Sequence, residues 1–282
     1  MISAATIAET VADHLQDVAS VLRPDVLDAL LRVLDVEKSE RGREVLQLLV
    51  ENADLAARTG VPLCQDTGVV WVLVEVGEEA AVDLRGLRGM LDAVGLRAFA
   101  EQGLRASTVR DALSDRSNPG TNLPVLLDVV LVPGAGVSVH TMLKGAGTDN
   151  ASRMMMLPPE AGEEGIAQAV LDVVREKASV ACPPLVVGIG IGGSFDSVAR
   201  LSKRALLRPL GTPAAEAKTA ELEARLLAGI NASGIGPAAL CGGSGSTTAL
   251  AVHIETAPCH IASLPLAINL HCHALRSRSS IL

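Results

Sequence analysis

The chain has 282 residues, 49% of them hydrophobic, and a formal net charge of −8. That is ample apolar material for a core and excludes an intrinsically disordered chain. Only Trp71, Phe99 and Phe195 are aromatic, so the core must be aliphatic, and both the stacking platforms and the clustered cations of a nucleic-acid binder are missing.

The first sixty residues read as helices. Ile7, Val11, Leu15, Val18 and Leu22 share one helical face. Pro24 suits the first turn of a second helix carrying Leu27, Leu30, Leu31 and Leu34. A third starts near Glu40 and stops at Gly60. The texture then changes. "GVVWVLVEVG" is β-branched and bounded by glycines, which predicts a buried strand. A helix is expected from about 84 to 101. "LPVLLDVVLV" and "GVSVHTML" read as two strands joined as a hairpin at "PGAG", and "KGAGTDN" as a glycine-rich loop. Helices are expected near 160–178 and 214–229, and "CPPLVVGIGIGGS", "TTALAVHIET" and "PLAINLHCHAL" are strand-like. No repeat or linker marks a boundary. The fold class is therefore mixed α/β (α+β), one domain over 1–282, with a helical layer at 1–60 followed by a mixed-sheet body at 61–282.

No apolar run reaches the ~18 residues of a membrane span. "MISAATIAETVADH" lacks the basic segment and apolar core of a secretory leader. A cytoplasmic chain without membrane or nucleic-acid partners is expected.

Gly188, Gly190 and Gly193 in "GIGIGG" fall in a G-x-G-x-x-G frame between a strand and a helix, the setting of a dinucleotide fingerprint. The acidic residue expected about 20 positions on is absent. The same run also suits close strand–helix packing, or an anion seat at a helix start with Ser194 as N-cap. An NAD-binding oxidoreductase stays open as a distant alternative.

The cysteines are Cys64, Cys182, Cys241, Cys259 and Cys272. In a reducing compartment they are buried thiols, nucleophiles or metal ligands. Cys64, Cys182 and Cys272 each stand at a loop–strand junction, where a scaffold can present a ligand. Their spacing does not match the close pairs of a structural zinc site, and a strand through "HCHAL" would turn His271 and His273 away from Cys272. Taken singly, each cysteine reads first as an inert buried thiol. Cys241 and Cys259 read as incidental.

"PLCQDTG", "KGAGTDN", "CPPLVVGIGIGGSFD" and "TTALAVHIETAPCHIASLPLAINLHCHALR" together resemble, over nearly the whole chain and in the same order, the N-terminal half or α subunit of class I iron–sulfur-dependent fumarases and L-tartrate dehydratases. The resemblance implies a 4Fe–4S cluster on Cys64, Cys182 and Cys272, with one iron left open as a Lewis acid. It implies reversible dehydration of a 2-hydroxy dicarboxylate, with malate to fumarate as the leading reading and L-tartrate dehydration as the alternative. It implies substrate contacts from Gln65, Asp66, Arg105, Lys144, Gly145 and His260, with Asp66 and His260 as the catalytic groups. It also implies a hetero-oligomer in which a separate β subunit supplies the catalytic base and further substrate-binding cations. Two segments depart from the family pattern: "KGAGTDN" where "KGGGSEN" is more frequent, and "NPGTNLP" where "NTGDNTP" is common. Both bear on substrate identity more than on reaction type. A non-enzymatic scaffold subunit that kept the fold is the remaining reading.

Overall fold

The computed structural model describes all 282 residues. In chain order the elements are β1 (Ile2–Ser3), α1 (Ala4–Asp17), α2 (Pro24–Val36), α3 (Glu40–Thr59), β2 (Val69–Gly77), β3 (Val82–Asp83), α4 (Leu87–Glu101), β4 (Leu126–Val132), β5 (Val137–Lys144), α5 (Ala146–Ala151), β6 (Arg153–Leu157), α6 (Gly162–Lys177), β7 (Leu185–Gly193), α7 (Ser197–Ala205), α8 (Ala217–Asn231), β8 (Ala249–Cys259), β9 (Leu264–His271) and β10 (Ser277–Ile281). The fold is α+β with two mixed four-stranded sheets. The chain forms two compact units: Met1–Arg23, Ala53–Ala146 and Arg276–Leu282 make the first, and Pro24–Asn52 and Gly147–Leu275 the second. No helix is long and apolar enough to cross a membrane.

The first unit holds the sheet β10-β5-β2-β4. Val70, Val72, Val74 and Val76 of β2 face a core shared with α1 and α4. Trp71 and Leu73, on the alternate face, are also buried. A strand apolar on both faces belongs inside a sheet. β2 accordingly pairs in parallel with β4 and antiparallel with β5. This corrects the expected β4–β5 hairpin. The two strands are joined through "PGAG", but β2 lies between them, and the connection passes over the end of β2. There the Gly77 N–H donates to Gly136 O at 2.8 Å and the Glu79 N–H to Gly134 O at 3.0 Å. α1 is capped by Ser3, whose hydroxyl accepts the Thr6 N–H at 3.1 Å.

The second unit holds the sheet β6-β9-β7-β8, with β7 parallel to β8 and antiparallel to β9. Leu185, Val187 and Ile189 of β7 join a core with α6 and α8. The alternate positions Gly188 and Gly190 face α7. A Cβ there would stand 2.2 Å from Ser202 O and 2.3 Å from Val198 O. The glycines therefore let a helix backbone rest directly on the strand. The frame "GIGIGG" lies inside β7, and α7 starts at Ser197 rather than at Ser194. Its role is strand–helix packing. Two further differences are local: most of "KGAGTDN" winds into the short helix α5, and β6 and β10 add strands that the polar or methionine-rich segments "RMMML" and "SRSSI" did not announce.

Beyond α2, the Glu37 carboxylate is buried in a ring of N–H donors: Ser39 at 3.0 Å, Ser246 at 2.9 and 3.0 Å, and Thr247 at 3.3 Å. Burial alone would push this carboxyl up, but the N–H bonds from Ser39, Ser246 and Thr247 outweigh it and hold Glu37 below its ordinary value of 4.5. A lowered folded-state value means that the stabilisation is full above the ordinary carboxylate range and is lost as pH falls through the folded value. Glu37→Gln is expected to lower stability near neutral pH by about 1–3 kcal/mol. Thermal melts from pH 7 down to pH ~3 should show that difference shrinking with acid.

Candidate active site

The first unit gathers six of the residues singled out in the sequence: Cys64, Gln65, Asp66, Arg105, Lys144 and Gly145. Leu63 N–H donates to Ala19 O at 2.9 Å, which fixes the entry to "CQDTG". The Cys64 thiol is free and half-buried. The Gln65 side-chain carbonyl accepts from Arg105 Nη1 at 2.9 Å. Asp66 Oδ2 accepts the Ala146 N–H at 2.9 Å. The pairing of Val69 with Lys144 sets the loop against the end of β5. Gly68 makes the approach possible: its φ is +80°, and a Cβ would fall 2.3 Å from Lys144 O. Lys144 itself is 1% exposed. A buried residue that sequence reasoning passed over ties these pieces together. Asn122 donates from Nδ2 to Gly68 O at 2.9 Å and accepts the Ser107 N–H on Oδ1 at 2.8 Å. Its φ of 55° is left-handed, where asparagine is among the few non-glycine residues tolerated. The only signal was its place in "NPGTNLP", a segment that departs from the family pattern.

The second unit holds the other two candidate ligands. Cys182 stands three residues before β7, and Cys272 directly follows β9. Val186 pairs with His271, so both thiols belong to the same end of the sheet. His273 Nδ1 donates to Cys182 O at 3.2 Å, binding one cysteine segment to the other and placing the proton on Nδ1. Cys182 adopts a left-handed φ of 56°, an uncommon conformation for a residue with a Cβ. β9 ends at His271, so strand alternation does not govern where Cys272 points. His260 lies in the turn between β8 and β9, where its Nδ1 accepts the Ala262 N–H at 3.1 Å. The eight residues of β9 separate it from Cys272, about 25 Å of extended chain.

None of the five cysteines is in a disulfide. Within neither unit do three or more His, Cys, Asp or Glu side chains gather into a metal-holding group. The three candidate ligands are divided, Cys64 on the first unit and Cys182 and Cys272 on the second. Their character fits an iron–sulfur group: soft, half-buried thiols at the ends of buried strands. Cys241 and Cys259 are exposed, and the Cys259 thiol contacts Ser263 O at 3.3 Å.

Residues 8–280 match the family model described as fumarate hydratase (Fumerase). The chain belongs to that family and is a hydro-lyase. Over 275 residues it is 36% identical to a protein of Methanocaldococcus jannaschii that carries the provisional name L(+)-tartrate dehydratase subunit alpha, covering 96% of this chain and 95% of that one. It is 32% identical over 272 residues to the L(+)-tartrate dehydratase subunit alpha of Escherichia coli K12, covering 96% and 88%.

In Gly145→Ala the new Cβ would stand 3.0 Å from Asp66 Oδ2, tight enough to press the carboxylate off the Ala146 N–H. The variant is expected to fold, with a melting temperature close to the wild type, and to lose turnover by about tenfold or more. Parallel melts and rate measurements check both halves.

Proposed function

We propose that the chain is the α subunit of an iron–sulfur-dependent dehydratase that removes water from a 2-hydroxy dicarboxylate, with L(+)-tartrate as its substrate. The observation that carries this reading is the likeness to proteins named L(+)-tartrate dehydratase subunit alpha along 96% of the chain. Malate to fumarate, the first reading of the sequence, is kept as the second because the matching family model is described as fumarate hydratase.

Cys64, Cys182 and Cys272 would hold the cluster, whose fourth iron, when bound, supplies a Lewis acid for the substrate hydroxyl. The remaining tasks fall to side chains. Arg105 offers a planar fork suited to a carboxylate, steadied by its bond to Gln65. Lys144 adds positive charge beside Gly145. Asp66 has one oxygen held by the Ala146 N–H, and its other oxygen orients the substrate hydroxyl or delivers a proton to it as it leaves as water. His260 is assigned a substrate contact by resemblance alone, because β9 lies between it and Cys272. A β subunit would complete the site with the base that removes the C3 proton.

The test is anaerobic co-production of the chain with its β partner, assayed on L-tartrate, malate and fumarate. The pair should dehydrate L-tartrate, and the α chain alone should be nearly inactive. Iron should approach about four atoms per chain. Cys64→Ala, Cys182→Ala and Cys272→Ala should each lose it, whereas Cys241→Ala and Cys259→Ala should retain it. Turnover of malate without tartrate would exchange the two substrate readings, and absence of iron after reconstitution would sink the cluster assignment.

A further inference from the structure

Arg276 is 2% exposed, and its Nε and Nη1 are buried with no hydrogen-bond partner. A guanidinium stays charged at any pH a protein meets, so it cannot escape burial by losing its proton. Burying an uncompensated charge is strongly unfavourable. Such a group persists where something absent from the bare chain completes it.

Its position says what that is. The Leu143 N–H donates to Arg276 O at 3.0 Å, which holds the residue beside the end of β5 in the first unit. Nη2 lies 3.5 Å from the point where a Cβ on Gly145 would stand, and Asp66 Oδ2 lies 3.0 Å from the same point. The gap that Gly145 leaves is therefore lined by the guanidinium on one side and Asp66 on the other. Lys144 precedes Gly145, and Arg105 is bonded to Gln65, the neighbour of Asp66. Asp66 Oδ2 is already engaged by the Ala146 N–H. The chemistry calls for an anion, and the guanidinium edge that pairs Nη2 with the unpartnered Nε, or with the unpartnered Nη1, is a planar fork that matches a carboxylate.

We propose that Arg276 is a substrate-binding residue: its guanidinium receives one carboxylate of the dicarboxylate in the gap beside Gly145 and Asp66. The inference rests on the dicarboxylate reading above. No partner chain is needed to supply this contact.

The experiment compares wild type, Arg276→Met and Arg276→Lys in the anaerobically co-produced complex. Iron per chain, KM and kcat for L-tartrate, and the melting-temperature shift on adding succinate or inorganic phosphate at equal ionic strength are measured. Arg276→Met should keep its iron and melt at or above the wild-type temperature without ligand, because an unpaired buried charge has been removed. It should lose the succinate shift and raise KM at least tenfold, with a smaller change in kcat. Arg276→Lys should recover part of both. The inference is overturned if Arg276→Met keeps the wild-type KM and succinate shift. It is overturned equally if both variants melt lower and lose iron, the signature of a structural role, or if phosphate protects the wild type as well as succinate does. A wild type that binds no dicarboxylate at all would instead defeat the substrate reading, and this contact with it.

Discussion

The first unit depends on one strand that must be buried on both faces. β2 carries valines toward α1 and α4 and sets Trp71 and Leu73 into the opposite side. No edge position satisfies both demands, so β2 takes the interior and β4 and β5 flank it. That choice fixes the candidate site. Antiparallel pairing with β5 brings the loop before β2 against the segment after β5, so Cys64, Gln65 and Asp66 meet Lys144, Gly145 and Ala146 although some eighty residues separate them in sequence. Gly68 permits the contact because any side chain there would strike Lys144 O.

The second unit solves a related problem with glycine. β7 is pressed between helices on its two faces, α6 and α8 on one and α7 on the other. With Gly188 and Gly190 toward α7, the helix backbone reaches the strand backbone and fixes β7 tightly. The loops at its ends inherit that rigidity. Cys182 and Cys272 share one end of the sheet and are joined through His273 and the Cys182 carbonyl. Rigid mounting of these two thiols would suit the cluster proposed for them.

Several elements were legible from side-chain pattern alone. The face of α1, the strands β2, β8 and β9 and the spans of α2, α4, α6 and α8 stand near where the apolar spacing put them, although α2 buries Val26, Ala29 and Leu30 and leaves Leu31 exposed. The failures share a cause. "PGAG" looks like a hairpin turn because local chemistry cannot reveal a third strand inserted between two neighbours. "SRSSI" looks like a loop because its strand is recruited by β5, with His14 and Arg23 holding Ser280 and Ser277. "GIGIGG" fits a phosphate loop by composition, and only the presence of α7 across the strand shows that its glycines fill a packing role.

The candidate site divides in the same way. Residue chemistry by itself determined an aliphatic α+β chain with three widely spaced thiols and a Cys-Gln-Asp run at the start of a buried strand, and the resemblance of its motifs to a known family added the hydro-lyase reading. Those properties are carried by side-chain identity and order, which the chain states outright. Tertiary structure decided which groups become neighbours. It joined Asp66 to the Ala146 N–H and Gln65 to Arg105, separated His260 from Cys272 by the length of β9, and buried Arg276 beside Gly145 with Nε and Nη1 unpartnered. Burial and pairing belong to the packed fold rather than to any local stretch, so an arginine four residues after a cysteine announces nothing until the strands have closed around it.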